Sequence, residues 1–280
     1  MISNSKINWA VIPCAGLGTR LLPVTKTVPK AMIPVANYPI IHFAVKEAMS
    51  VGIENILIII GEGMDSIRDY FSENTKLPKF ISNNGKNENK YIDETFSDSA
   101  NIRFLLQDKP LGVGHAIKLA KRIINESSSA VILPDDVIFT KGNPISQLMK
   151  IYNQFGGHVI GLNKIKKSEV EHKGVVEFIK EENRYKITNL IEKPKLSDAP
   201  SKIGILGRYI LNPNIFDYIS DNVENDQEIN LTEALLRAGE ESEISGETLE
   251  GFHFDTGNIE GLIKASSFFL KNHKILEKNL

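Results

Sequence analysis

Cysteine is almost absent from this sequence: of 280 residues, only Cys14 carries a thiol. One thiol excludes a disulfide framework and a four-cysteine zinc site, and it suits a reducing compartment. Long hydrophobic runs are missing too. The longest unbroken aliphatic stretch, Ile56 to Ile60, is far short of the roughly 20 residues that a membrane span needs. Met1 to Asn8 is polar and has no apolar signal core. The expectation is a cytoplasmic protein without a membrane partner. Neither sign of charge dominates: Lys plus Arg is 33, Asp plus Glu is 35, and the net charge is −2. The basic surplus of a nucleic-acid binder is therefore lacking. None of the six histidines falls in an H-E-x-x-H or H-x-H metal pattern.

What is present is ordinary globular material, 41% apolar and 24% charged, enough for one large α/β domain or two small ones. Short β-branched runs alternate with helix-period segments. Strands are expected at Trp9–Pro13, Asn55–Ile60, Ile102–Leu106 and Ala130–Leu133, with helices at Ile40–Ser50, Met64–Phe71 and Gly114–Ile124. That alternation predicts βαβ units and a mostly parallel sheet whose buried strands are continuously apolar. Asn74–Ala100, rich in Asn, Lys, Asp and Ser, is expected to be a surface insertion with weak helical character. From about residue 155, β-like runs crowd together at His158–Leu162, Val175–Ile179, Ile187–Ile191 and Ile203–Ile210. Helices are expected at Pro213–Ile219, Leu231–Ala238 and Asn258–Leu270. The reading is one domain over 1–280: a first lobe at 1–155, a second lobe at 156–256 that continues the sheet, and a C-terminal helix within 257–280.

The first strand runs into Cys14-Ala15-Gly16-Leu17-Gly18-Thr19-Arg20. A glycine loop at the carboxyl end of a strand is where α/β sheets bind phosphates, because glycine lets backbone N–H groups approach the ligand. A tight turn is the plain alternative. Leu21 stands where a dinucleotide fingerprint needs its third glycine, and no G-K-[S/T] follows, so this is neither a dinucleotide nor a Walker loop. Pro23, Pro29 and Pro34 predict an extended, fixed loop. It carries Arg20 and Lys30, two cations suited to a triphosphate; Lys26 reads as a solvated surface charge.

These residues, with Thr25 and Pro29-Lys30, resemble the signature of the sugar-nucleotide pyrophosphorylase family. The resemblance runs from about Val11 to Leu270. Further blocks are Gln107 with Pro110-Leu111-Gly112-Val113-Gly114-His115-Ala116, Leu133-Pro134-Asp135-Asp136, Gly174-Val175-Val176-Glu177, Glu192-Lys193-Pro194, Gly207-Arg208-Tyr209 and Asp255-Thr256-Gly257. The insertion before Gln107 fits the uridylyltransferase branch better than the thymidylyltransferase branch. The sequence departs from the family pattern at Ala31, Asn37, Gln227 and Asn258, none of them a phosphate or metal contact. The resemblance implies a Rossmann-like mixed, mostly parallel central sheet flanked by helices, and a homodimer or homotetramer.

It also implies the chemistry: UTP and glucose 1-phosphate are converted to UDP-glucose and pyrophosphate with Mg²⁺, by direct in-line attack at the α-phosphorus. Arg20, Lys30 and Lys193 would serve catalysis. Ala15, Gly16, Gly18, Lys30, Gln107 and Gly112 would hold the nucleotide, the Gln107 amide matching the edge of uracil. Gly174, Glu192 and Lys193 would hold the sugar phosphate, and Asp135 and Asp255 the metal, since Mg²⁺ takes few protein carboxylates. Without the family, Glu192-Lys193 would read as a surface turn before Pro194, and an Asp pair after a strand as a helix cap or turn; Asp136 keeps that reading. His115 reads as structural, and Cys14 as a small buried residue rather than a nucleophile. Two alternatives remain: the same chemistry with dTTP, or a nucleotide-sugar-binding protein without turnover.

Overall fold

A computed structural model describes residues 6–72, 100–125, 127–220 and 228–276. The elements in chain order are β1 (Trp9–Pro13), β2 (Pro34–Val35), β3 (Tyr38–Pro39), α1 (Ile40–Met49), β4 (Asn55–Ile60), α2 (Asp65–Tyr70), β5 (Asn101–Leu106), α3 (Gly112–Ile124), β6 (Ser129–Ile132), β7 (Asp136–Phe139), α4 (Pro144–Phe155), β8 (His158–Lys164), β9 (Gly174–Lys180), β10 (Tyr185–Glu192), β11 (Ile203–Leu211), α5 (Ile215–Tyr218), α6 (Leu231–Ala238), β12 (Ile244–Thr248), β13 (Phe252–Asp255) and α7 (Ile259–Leu276).

Among the described residues, nine strands form one sheet in the order β5-β4-β1-β6-β11-β8-β12-β10-β9. β5, β4, β1 and β6 pair in parallel, as do β8 and β12, whereas β11 and β10 run against their neighbours. The sheet is thus mixed, with most strands pointing one way. Its apolar runs sort by the period of two that a pleated strand imposes. Ala10 and Ile12 of β1, Ile56, Ile58 and Ile60 of β4, and Ile132 of β6 pack on one face with α1, α2 and α4. Val11, Leu57, Ile59 and Val131 pack on the other face with α3, α5 and α6. Helices on both faces are what continuous apolar strands demand. No helix among the described residues is long and apolar enough to cross a membrane.

Several expectations need correction. Residues 19–32 are not extended. They form three single 3₁₀ turns, Thr19–Leu21, Val24–Lys26 and Lys30–Met32. Pro23 and Pro29 each begin a turn whose i→i+3 bond uses the proline carbonyl (Lys26 N–H to Pro23 O, 3.1 Å; Met32 N–H to Pro29 O, 2.8 Å). Proline starts a turn readily because its φ is set and its missing N–H is not needed there. β5 lies at the sheet edge and is only half covered. The helix α4 and the strand β12 enter the fold where no element was expected. The stretch 74–100 lies outside the described residues except for Ala100, as does Gln227.

Candidate active site

The carboxyl ends of β1, β5 and β6 open into a cleft of about 380 Å³. Ala15, Gly16, Gly18, Arg20, Lys30, Gln107, Gly112 and Asp135 all line it. The glycine loop owes its shape to Gly18, which holds φ +65°; a Cβ there would lie 3.0 Å from both Lys30 Cβ and Thr25 Cγ2. The Gly18 carbonyl then accepts the Thr25 hydroxyl (2.9 Å), which ties the loop to the turns carrying Lys30. Cys14 starts the loop and is buried; burial, with Asp135 nearby, pushes its thiol far up, so it is not a thiolate nucleophile.

Asp135 lines the cleft and Asp255 borders it through Arg20, and the two arrive by different routes. Asp135 follows β6 through Pro134. Asp255 does not end a strand of the main sheet, as its sequence setting suggested. It ends β13, which forms a separate two-stranded ribbon with β7, Asp255 opposite Asp136. Thr256 fixes the junction: its N–H and its hydroxyl both donate to the Asp135 carbonyl at 2.8 Å. Lys30 pairs with the Asp135 carboxylate, and Arg20 with Asp255 at 3.4 Å. These groups converge on Gly257, where a Cβ would meet Arg20 Nη2 at 2.6 Å, Asp255 Oδ1 at 2.9 Å and Lys30 Nζ at 3.0 Å. Any larger residue would displace them. Among the described residues no cluster of three or more His, Cys, Asp or Glu forms. Two convergent carboxylates suit a hard cation that completes its shell with phosphate oxygens and water.

Asp136 is not a cap. Its N–H does close a turn onto the Leu133 carbonyl (3.3 Å), but its carboxylate is buried and accepts from Gly207 N–H (2.9 Å) and His253 Nε2 (2.6 Å), with Lys173 Nζ at 3.7 Å. Burial alone would raise this carboxyl. Lys173, the His253 hydrogen bond and Arg208 outweigh it and hold the group far below the usual carboxylate range. Arg208 is itself only 2% exposed. It donates to both oxygens of Glu47 on α1 (2.7 and 2.8 Å), to the Leu133 carbonyl (3.0 Å) and to the Asp136 carbonyl (2.8 Å). The turn that presents Asp135 is therefore gripped at three carbonyls, by Arg208 and Thr256.

Where β5 ends, Gln107 is 4% exposed, and its amide nitrogen meets the Gly112 carbonyl (3.3 Å) and His115 Nδ1 (2.8 Å). His115 thus fixes Gln107; burial pushes its imidazole down. Glu228, not singled out from the sequence, also lines the cleft. It is held there by the neighbouring Ile229, which exchanges hydrogen bonds with Leu111 and Gly114 (2.8 and 2.9 Å). Gly174, Glu192 and Lys193 stand apart from this lining, on the β9–β10 pair, where Glu192 faces Gly174. Thr232 donates to Glu192 Oε2 (2.7 Å) and sets its orientation. Lys193 holds φ +45°, unusual for a residue with a side chain, and is 53% exposed.

A mixed sheet with a glycine loop at a strand end, two cations beside it, and two carboxylates, one after β6 and one from the β7–β13 ribbon, defines a phosphate-handling α/β protein. The model of the nucleotidyl transferase family matches residues 9–272, and the chain belongs to that family. It is 38% identical over 263 residues to the UTP–glucose-1-phosphate uridylyltransferase of Staphylococcus epidermidis, covering 93% of this chain and 91% of that one. It also superposes on UDP-glucose pyrophosphorylase without ligand (TM-score 0.88, 33% identity, 96% of this chain and 100% of that one) and in complex with UDP-glucose (TM-score 0.85, 33% identity, 95% and 100%).

Proposed function

We propose that this protein joins UTP to glucose 1-phosphate, forming UDP-glucose and pyrophosphate. The cluster around Gly257 carries the reading, because two cations and two carboxylates at a glycine-loop cleft are what transfer between polyphosphates requires. The similar uridylyltransferase and the UDP-glucose complex name the substrates. Residues 1–155 bind the nucleotide and residues 156–256 the sugar phosphate within one domain.

The sugar phosphate is already anionic, so its oxygen attacks the α-phosphorus in line without a strong base, and pyrophosphate leaves on the opposite side. The protein supplies alignment and charge. Arg20 and Lys30 take the triphosphate, and backbone N–H groups of the Ala15–Gly18 loop approach it. The Gln107 nitrogen is already engaged, so Gln107 offers its carbonyl to the base. That carbonyl accepts from N3–H of uracil and repels N3 of cytosine. Glu192 accepts sugar hydroxyl protons, and Lys193 takes the sugar phosphate. A left-handed lysine costs of order 1 kcal/mol, and such strain gathers at functional sites. Asp135 and Asp255 would hold a divalent cation, Mg²⁺ in this reading, which when bound neutralises charge on the α-phosphate and on pyrophosphate.

The same proposal includes a cytoplasmic homodimer or homotetramer, supported by exposed Phe252, Ile259 and Ile263 near and on α7 and checked by light scattering. The main test is pyrophosphate release with glucose 1-phosphate and each nucleoside triphosphate in turn, with Mg²⁺. Turnover with UTP well above CTP is expected. Equal use of CTP, or no release with UTP, overturns the reading.

A further inference from the structure

Lys173 has no part in the chemistry above, yet its position joins the two ends of the site. Its backbone lies at the sugar end: its carbonyl accepts the Lys193 N–H (3.2 Å), and the next residue, Gly174, faces Glu192. Its side chain runs the other way, to Asp136, which adjoins Asp135. Only 12% of that side chain is exposed. Its Asp136 partner is 3.7 Å away, beyond hydrogen-bond distance. Asp136 is already served on both oxygens by Gly207 and His253. A mostly buried ammonium carries three donors, and its loose pairing with Asp136 leaves it able to donate to an incoming anion.

We propose that Lys173 donates to the phosphate of the sugar 1-phosphate, at the point where that phosphate meets the nucleotide. The inference rests on the uridylyl-transfer reading. Two polyanions must come into contact there, and a cation screened from water acts on them far more strongly than the half-exposed Lys193. Tyr209 is consistent with a close junction: its buried phenol is pushed up by burial together with the charges of Asp136 and Glu192, one from each end. Lys173 and Lys193 then flank the attacking phosphate, the first oriented by its loose pairing with Asp136.

Lys173→Met and Lys173→Arg test this through initial rates with one substrate varied at a time, calorimetric titration with glucose 1-phosphate, and thermal melting. Loss of a charge-assisted phosphate contact should raise KM for glucose 1-phosphate or lower kcat by about tenfold or more in Lys173→Met. KM for UTP should stay within about twofold, and Lys173→Arg should recover most of the loss. Normal glucose 1-phosphate kinetics in Lys173→Met would overturn the proposal. So would a KM for UTP raised as much as that for glucose 1-phosphate, with a lower melting temperature that Lys173→Arg leaves unrepaired, the pattern of a lysine that only balances Asp136. Turnover by the unaltered enzyme tests the uridylyl-transfer reading separately, since Lys173 is judged by the ratio of variant to parent.

Discussion

At the scale of single residues, Asp135 and Asp255 are 120 positions apart in the chain and meet across Thr256. Asp135→Asn or Asp255→Asn should cut turnover by about a hundredfold or more while circular dichroism and melting temperature stay near those of the parent. Near-normal turnover with Mg²⁺ in either variant would remove that residue from the metal site. Lys30 and Lys193 lie at opposite ends, so their variants should separate by substrate. Lys30→Ala should raise KM for UTP and Lys193→Ala KM for glucose 1-phosphate, each by about ten- to a hundredfold, the value of one charge-assisted contact. Varying each substrate alone checks this, and parallel shifts in both would contradict it. The glycine loop could be read from its place after an apolar strand, whereas Gln107 and the two aspartates were marked by the family resemblance, their own setting being that of an ordinary strand end. Arg208 stood in a family block without a role, and Lys173 and His253 were not singled out, because what marks all three is burial beside partners far along the chain, which no local pattern encodes.

At the scale of elements, the βαβ half could be read because buried parallel strands are short apolar runs between helix-period segments. α4 escaped although it carries its own start signal. Asn143 accepts the Ser146 N–H at 2.9 Å, and Pro144 takes the first helical position. The loop of 3₁₀ turns was misread because proline was taken as a breaker rather than as a turn initiator. The Glu47–Arg208 pair links helix α1 to β11 and to the turn bearing Asp135. Arg208→Met leaves Glu47 buried without its partner and should cost about 3–5 kcal/mol of stability. Adding Glu47→Gln should restore part of that stability. Turnover should stay low, because the Leu133 and Asp136 carbonyls remain unheld. Urea denaturation set beside kcat in both variants decides the matter; recovery of activity in step with stability would reduce the pair to simple bracing.

At the scale of the whole molecule, stability should depend on pH through His158. Burial depresses its imidazole from the ordinary 6.5 to about 4, and its Nδ1 accepts the Asn212 N–H at 3.2 Å. Between pH 6.5 and 4 the unfolded chain binds a proton there that the folded chain refuses. Stability is therefore full above about pH 6.5 and falls as pH drops through that window. Melting temperatures measured from pH 7 to 4.5 should decline for the parent and decline less for His158→Gln; identical slopes would acquit this histidine.

The meeting of Arg20, Lys30 and Asp255 at Gly257, with Asp135 paired to Lys30, has a consequence for what the cleft admits. Each cation already has an anionic neighbour. A lone polyanion must compete with Asp135 and Asp255 for Lys30 and Arg20, and whatever it wins strands a carboxylate beside it. A lone divalent ion faces the converse contest and strands an ammonium and a guanidinium. Only when both arrive together does every charge in the cluster find a new opposite. On the function proposed above, the four side chains would act as a coincidence detector, favouring the two visitors as a pair over either one alone.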